Sequence, residues 1–276
     1  MHYFTILLLA IVQGLAELLP VSSSAHVIMA EKFMGIDPTT PSMTLLLVML
    51  HTGTMLAVIV YFWRSWKTTY FSSWQSFWHQ SWLAALATGA TGVIGLLLLK
   101  LIPRVLGEPK NFEIEQIFGN THLIAASLAT AGVLIFLSGW YCREQEGTST
   151  LTPLRALIIG AVQGLCLPFR GFSRSGATIS SALIMDMARR PAEEFSFVLA
   201  VILTPPVIAR EVLRISHHQP TPHLSTWLMP SLFGMVMSFV AGLVALRWLS
   251  QWLEHGRWHY FGVYCLVAAA LIGLGH

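Results

Sequence analysis

Six stretches of this 276-residue chain, at 42–63, 82–103, 118–141, 195–213, 227–249 and 260–275, are apolar over close to the length that a bilayer demands. A helix needs about 20 predominantly apolar residues to cross the hydrocarbon core. The fold class that follows is all-α: a polytopic membrane protein with six transmembrane helices. Composition agrees, since only 11% of the residues are charged, against about 25% in soluble domains. The net charge of +3 is small and its basic residues are scattered, which argues against nucleic acid as a partner. Cys142, Cys166 and Cys265 lie far apart without metal-ligand spacing, and read as small buried hydrophobes. No Lys or Arg precedes the first apolar stretch and no clear small-residue cleavage site follows it, so a removable signal peptide is not expected.

Two further apolar segments do not fit a simple span. One is the N-terminal stretch containing "VQGLAELLPVSSSAH"; the other is "GAVQGLCLPFRGFSRSGATISSALIM". Each is interrupted halfway by proline and a serine-rich polar turn. Each also carries Val-Gln-Gly-Leu, beginning at Val12 and again at Val162, and each is followed by three of the six spans. The chain therefore reads as two copies of one unit, 1–150 and 151–276, each a broken helical hairpin followed by three spans within one membrane domain.

If each hairpin enters and leaves on the same side, a unit crosses the membrane three times. An odd count inverts the second copy. The two re-entrant hairpins then enter from opposite faces and can meet near the midplane, the inverted-repeat arrangement in which broken helix ends build a polar site. Non-helical backbone is tolerated at that depth only where protein or a wet cavity covers it. Arg64, Lys67, Arg143, Arg155, Arg189, Arg190, Arg247 and Arg257 fall on one side; Lys32, Lys100, Arg104, Lys110, Arg210 and Arg214 fall on the other. The excess is small and favours the first set as cytoplasmic, with both termini outside.

Carboxylates are costly in hydrocarbon, about 2.5–3.5 kcal/mol even on lenient scales, so Glu17 should face the protein interior. Gln13 and Glu17 are four apart and share a helix face. Pro20 disrupts the helix, Ser22, Ser23 and Ser24 suit the start of the next one, and His26 lies within a turn of Ser22 and Ser23. The second tip supplies the opposite charge: Arg174 sits between Ser173 and Ser175, beside Gly171 and Gly176, with Thr178 one turn on. A helix N-terminus presents free N–H groups, and a guanidinium offers a planar fork to phosphate oxygens. Together these describe an anion site, best suited to phosphate. His51 in "MLHTGTMLAV" fits a supporting partner of the site or a purely structural role. His217, His218 and His223 read as a solvated loop, and the tryptophans at span ends as an interfacial belt.

At these residues the sequence resembles the undecaprenyl-diphosphate phosphatase family of the BacA/UppP type. "QGLAELLPVSSSAH" is similar to its first motif, "GFSRSGATIS" to its second, PGxSRSxxT, and "EEFSFVLAVILTP" to the span that follows. The resemblance covers the whole chain. It implies a bacterial cytoplasmic-membrane hydrolase with its site open to the outer face. The substrate would be undecaprenyl diphosphate, cleaved to the monophosphate and inorganic phosphate for peptidoglycan synthesis. The resemblance also implies a divalent cation, Mg²⁺ or Ca²⁺, with Glu17 and Gln13 at the first motif's acidic positions as its ligands. Catalytic roles are implied for Glu17, Ser22, Ser23, His26 and Arg174, and substrate binding for Ser173, Arg174, Ser175, Gly176 and Thr178. Two positions depart from the pattern: Gln13 carries no charge, and Arg170 replaces the proline that opens the second motif.

The nucleophile is left open between Ser23 or Ser22 with His26 as base, His26 itself, and water activated by His26 or Glu17; the serine is preferred. The expected partners are the polyprenyl diphosphate, membrane lipids and, as an option, a second copy of the chain. The rival is a transporter or flippase for an anionic polyprenyl-phosphate lipid, to which a nucleophile and base would be superfluous. The inverted repeat has a direct test. Ser23→Cys with Ser173→Cys, in a background lacking the three native cysteines, is expected to cross-link with a short reagent; failure to do so would sink the shared site.

Overall fold

The computed structural model describes residues 2–37, 40–105, 120–142, 147, 150–218 and 224–274, with backbone alone at 41, 105, 214–218 and 224–226. Among these residues the regular structure is helical: α1 (Tyr3–Leu18), α2 (Ser23–Phe33), α3 (Pro41–Tyr70), α4 (Trp74–Val105), α5 (Thr121–Tyr141), α6 (Pro153–Cys166), α7 (Arg174–Ile184), α8 (Arg189–His218), α9 (Leu224–Glu254) and α10 (His259–Leu274). In chain order they form two series of five. The lengths run 16, 11, 30, 32 and 21 residues, then 14, 11, 30, 31 and 16. The repeated Val-Gln-Gly-Leu falls near the end of α1 and of α6, just before each break.

Five helices are long and apolar enough to cross a membrane, within α3, α4, α5, α8 and α9, and they contain five of the six stretches read from the sequence. The sixth stretch forms α10, a shorter apolar helix of about 24 Å at 1.5 Å per residue. The chain is an all-α polytopic membrane protein. Several helices outrun their apolar stretches: α3 continues to Tyr70, α4 begins at Trp74, α8 begins at Arg189 and α9 ends at Glu254. Hydropathy marks what lipid can cover, whereas the hydrogen-bond ladder stops only at a breaker or cap. For the same reason His217 and His218 lie in the last turn of α8, correcting their reading as loop residues. His223, Lys110, Arg143 and the first residues of the 118–141 stretch lie outside the described residues.

Contacts divide the chain into two compact units, residues 1–19, 23–64 and 200–249, and residues 20–22, 65–199 and 250–276. In the first, α1 and α3 both pack closely on α9. A Cβ added to Gly14 would stand 2.8 Å from the Ser238 carbonyl oxygen, and one added to Gly53 would stand 2.3 Å from that of Met235. The Ser238 hydroxyl, fully buried, donates to the Leu50 carbonyl at 3.0 Å. Ile6, Leu9 and Ala10 of α1 fill the space against Met43, Leu46 and Leu50 of α3, with Phe233 and Met237 of α9 beside them. Lipid offers helices no hydrophobic reward for associating, so small residues that admit a close backbone approach carry such contacts.

In the second unit α6 packs on α4. Thr91 Oγ1 donates across to the Gly160 carbonyl at 2.8 Å and accepts from Gln163 Nε2 at 3.0 Å. The first helix of each series thus lies on the fourth helix of the other. Buried Glu193 accepts from Ser250, and Glu194 accepts from Ser65 and Arg190. These bonds tie the start of α8 to the ends of α9 and α3.

Gly53→Ala is expected to lower the thermal midpoint in detergent, at a cost of about 1–3 kcal/mol for an overpacked contact. Gly89→Ala is the matched control, since nothing lies within 4 Å of the added methyl; it should be neutral or mildly stabilising. Equal midpoints for the two variants would contradict the close packing of α3 on α9.

Candidate active site

The first tip follows from its proline. The residue before proline is pushed into extended backbone, and Leu19 has φ −72° and ψ 151°, which ends α1. Pro20 and Val21 follow, then Ser22 turns with φ 67°, and α2 begins at Ser23. A side chain in that left-handed region costs about 1 kcal/mol or more. The turn reverses the chain so that α2 packs back on α1. Cys265 on α10 donates its thiol hydrogen to the Pro20 carbonyl at 3.3 Å.

The reversal brings Ser23 onto Glu17. The Ser23 hydroxyl donates to Glu17 Oε2 at 2.6 Å, within the range of a charge-assisted O–H···O⁻ bond. Gln13 Nε2 donates to the same oxygen at 3.1 Å, as the four-residue spacing implied. His51 on α3 brings Nε2 to 3.7 Å from it. The Glu17 side chain keeps 17% of its surface exposed. Three helices therefore converge on one carboxylate oxygen. The sequence expectation paired Ser23 with His26, yet the structure sets Glu17 against the Ser23 hydroxyl, with half-buried His26 one turn further along α2. The Ser23 hydroxyl reaches back across the turn to the helix before it.

The second tip is a capped helix start. Ser173 precedes α7 in extended backbone, and its hydroxyl accepts from the Gly176 amide at 3.2 Å. The first turn leaves further amides without carbonyls of the same helix to bond. Arg174 is half-buried, while Ser173, Ser175, Gly176 and Thr178 are buried. Gly171 turns with φ 110°, and a Cβ there would lie 2.4 Å from the Ile124 carbonyl oxygen of α5. Thr178 Oγ1 donates to the Arg174 carbonyl at 2.9 Å and pairs with Ser196 Oγ at 2.6 Å, fastening α7 to α8. Arg170 is exposed.

The two repeated glutamines differ in use. Gln13 has Glu17 four residues on and bonds it. Gln163 has Leu167 there, and reaches Thr91 on α4 instead, its buried Oε1 having no hydrogen-bond partner among the described residues. Glu17, Ser23, Gln13, His26 and His51 belong to the first compact unit, whereas Ser22 and the second tip belong to the other.

The donor set bears on a cation. Facing the carboxylate, Gln13 presents its amide N–H and donates to Glu17, while the other end of the same amide is an oxygen of the kind a hard cation takes. Among the described residues no three His, Cys, Asp or Glu side chains group as a metal site. A single carboxylate does fit a cation that arrives with phosphate oxygens and water, the usual habit of Mg²⁺.

Comparison with known proteins is consistent along the chain. Residues 6–271 match the family described as bacitracin resistance protein BacA. An undecaprenyl-diphosphatase 2 of Acinetobacter baylyi is 59% identical over 279 residues, covering 99% of this chain and 97% of that protein. Undecaprenyl-diphosphatases of Korarchaeum cryptofilum and Rhodopirellula baltica are each 31% identical, over 96% and 98% of this chain and 96% of each relative.

The strained turn at Ser22 makes a specific demand. Ser22→Gly should keep the unfolding free energy within about 1 kcal/mol of native, because glycine adopts φ 67° freely. Ser22→Val should lose more than that, since β-branched residues are true outliers there. A valine variant as stable as the glycine one would show that the turn is not strained.

Proposed function

The chain belongs to the bacitracin resistance protein BacA family, and we infer from that membership and from the Glu17–Ser23 pair that it is an undecaprenyl-diphosphatase, a membrane hydrolase that releases phosphate from the lipid diphosphate. The observation that carries the chemistry is the 2.6 Å bond from the Ser23 hydroxyl to Glu17 Oε2. A base must lie within about 2.6–3.2 Å of the proton it takes. A transporter needs no hydroxyl poised on a base, which ranks the flippase reading lower.

In the mechanism we favour, Ser23 Oγ attacks the terminal phosphorus and its proton passes to Glu17 Oε2. The bridging P–O bond breaks, and undecaprenyl phosphate leaves with that oxygen. Water then attacks the phosphoserine, its phosphate is released, and Ser23 regains a proton. Phosphoryl transfer depends largely on positioning and charge neutralisation. Arg174, with the amides of the α7 start and the Ser173 and Ser175 hydroxyls, is the group suited to hold the transferred phosphate. Gln13 aims the Glu17 carboxylate, and His26 remains the candidate for protonating the leaving oxygen. Thr178 supports α7 from behind through Ser196. A divalent cation bound with the substrate would neutralise diphosphate charge, with Glu17 as its protein ligand.

The proposed setting is the bacterial inner membrane, with the site open to the outer face, where recycling the carrier lipid serves cell-wall synthesis and underlies resistance to bacitracin. The basic-residue bias supports this orientation.

Purified protein should release phosphate from a polyprenyl diphosphate, lose activity in EDTA and recover it with Mg²⁺ or Ca²⁺. Ser23→Ala and Glu17→Gln should each reduce turnover by about 10³-fold or more, as removal of a nucleophile or its base does elsewhere. Arg174→Lys should be nearly as damaging, because an ammonium cannot reproduce the guanidinium fork. Gln13→Glu should steepen the cation dependence, since two adjacent carboxylates ionise together only when a cation offsets them. Near-normal turnover in Ser23→Ala would remove the serine mechanism.

A further inference from the structure

Arg170 stands at the apex of the second tip, where turn chemistry favours a different residue. The Phe172 amide donates to the Phe169 carbonyl at 3.1 Å, closing a four-residue turn whose central positions are Arg170 and Gly171. Gly171 has φ 110°, which suits the glycine at the third position of a type II turn, and proline is favoured at the second. Here the turn closes with arginine in that place. Turn geometry alone therefore does not account for the guanidinium.

Depth makes the charge consequential. α6 runs beside α4, with Gly160 against Ala87, Gly164 against Thr91 and Leu167 against Gly95. At 1.5 Å per residue, Gly95 lies about 20 Å into the apolar stretch 82–103 and about 12 Å short of its end. Arg170, just beyond Leu167, thus turns within the membrane. An arginine at such depth faces the protein interior or a water-filled cavity, and irregular backbone there is either buried in protein or lines such a cavity. Arg170 is exposed, so it lines the wet space at the tip.

Exposure is graded along this tip. Ser173, Ser175 and Gly176 at the start of α7 are buried, Arg174 is half-buried and Arg170 is exposed. Leu165 and Leu167, on the arm leading into the turn, are 46% and 50% exposed, apolar surface of the kind an isoprenoid chain takes. A lipid diphosphate has the same order, with its terminal phosphate farthest from the chain and its other phosphate next to it. Four residues of chain can separate Arg170 from Arg174 by at most about 14 Å, and the turn shortens that.

We propose that Arg170 is a substrate-binding residue for the phosphate that stays on the lipid, while Arg174 and the start of α7 hold the phosphate that is transferred. This rests on the phosphatase reading and adds the second half of diphosphate recognition to it. A guanidinium suits the task, because its planar fork meets phosphate oxygens at two points.

The test uses purified full-length protein in detergent at fixed free Mg²⁺. Binding of inorganic diphosphate and of inorganic phosphate is measured by calorimetry, and phosphate release is measured from a polyprenyl diphosphate. Arg170→Gln should weaken inorganic diphosphate about 10-fold, in line with the loss of one charge-assisted contact at an exposed position, and leave inorganic phosphate within about twofold. kcat/KM for the lipid should fall by a similar factor. Arg170→Pro puts the residue that the turn favours at the apex, so it should show the same losses with an undiminished thermal midpoint, which separates the charge from the fold. Equal weakening of both anions would overturn the proposal, because Arg170 would then serve the transferred phosphate or the general field. So would native-like diphosphate binding in Arg170→Gln or Arg170→Pro. Absence of phosphate release from the native protein, with diphosphate binding still dependent on Arg170, would sink the phosphatase reading alone.

Discussion

A carboxylate placed in a membrane-embedded hairpin is stable only where donors reach it, and the first tip is organised around meeting that need at Glu17. The Gln13 amide comes from the preceding turn, and the Ser23 hydroxyl comes from across the break. The Gln13 contact is one turn of α1, but the Ser23 contact cannot form in a continuous helix: without Pro20 and the left-handed Ser22, α1 would carry Ser23 onward past Glu17. The broken helix is thus the means by which Glu17 obtains its hydrogen bond from Ser23. The same bond sets a hydroxyl on a carboxylate, so in the proposed mechanism the group that relieves the electrostatic penalty is also the group that reacts.

The placement of that pair depends on α9. Burial of apolar surface does not drive helices together in lipid as it does in water, and the first unit uses steric fit instead. Gly14 and Gly53 let α1 and α3 approach the backbone of α9, and Ser238 adds a hydrogen bond to Leu50. In the second unit, α6 stands on α4 through Thr91, Gly160 and Gln163. Each series lends its fourth helix to the hairpin of the other, which couples residues far apart in sequence within a single compact unit.

Much of this was legible in the sequence because it rests on local rules. Length and apolarity located five long helices, proline located both breaks, and the spacing of Gln13 and Glu17 anticipated their bond. The ends of the helices were not legible, since α3, α8 and α9 continue into polar residues where no breaker stands. The bond from Ser23 to Glu17 was not legible for another reason: it depends on the φ of Ser22, which no pattern of side chains reveals. The approach of His51 to Glu17 was not legible either, because the two lie on different helices. The unlike roles of Gln13 and Gln163 have a visible sign in retrospect, the change from Glu17 to Leu167 at the same spacing.

The dependence of the first tip on α9 has a pharmacological consequence. Gly14 and Gly53 leave no slack on that helix, so a lipid-soluble molecule wedged at Gly14 would push α1 off α9, and one at Gly53 would push α3 off it, in either case by the width of its own atoms. Misplacement by about 1 Å can cost on the order of 100-fold in rate. An inhibitor of this kind would need no phosphate and no resemblance to the diphosphate, and it could reach its seam through the bilayer. A methyl group added at either glycine would itself collide with α9, so those two positions offer no route of escape.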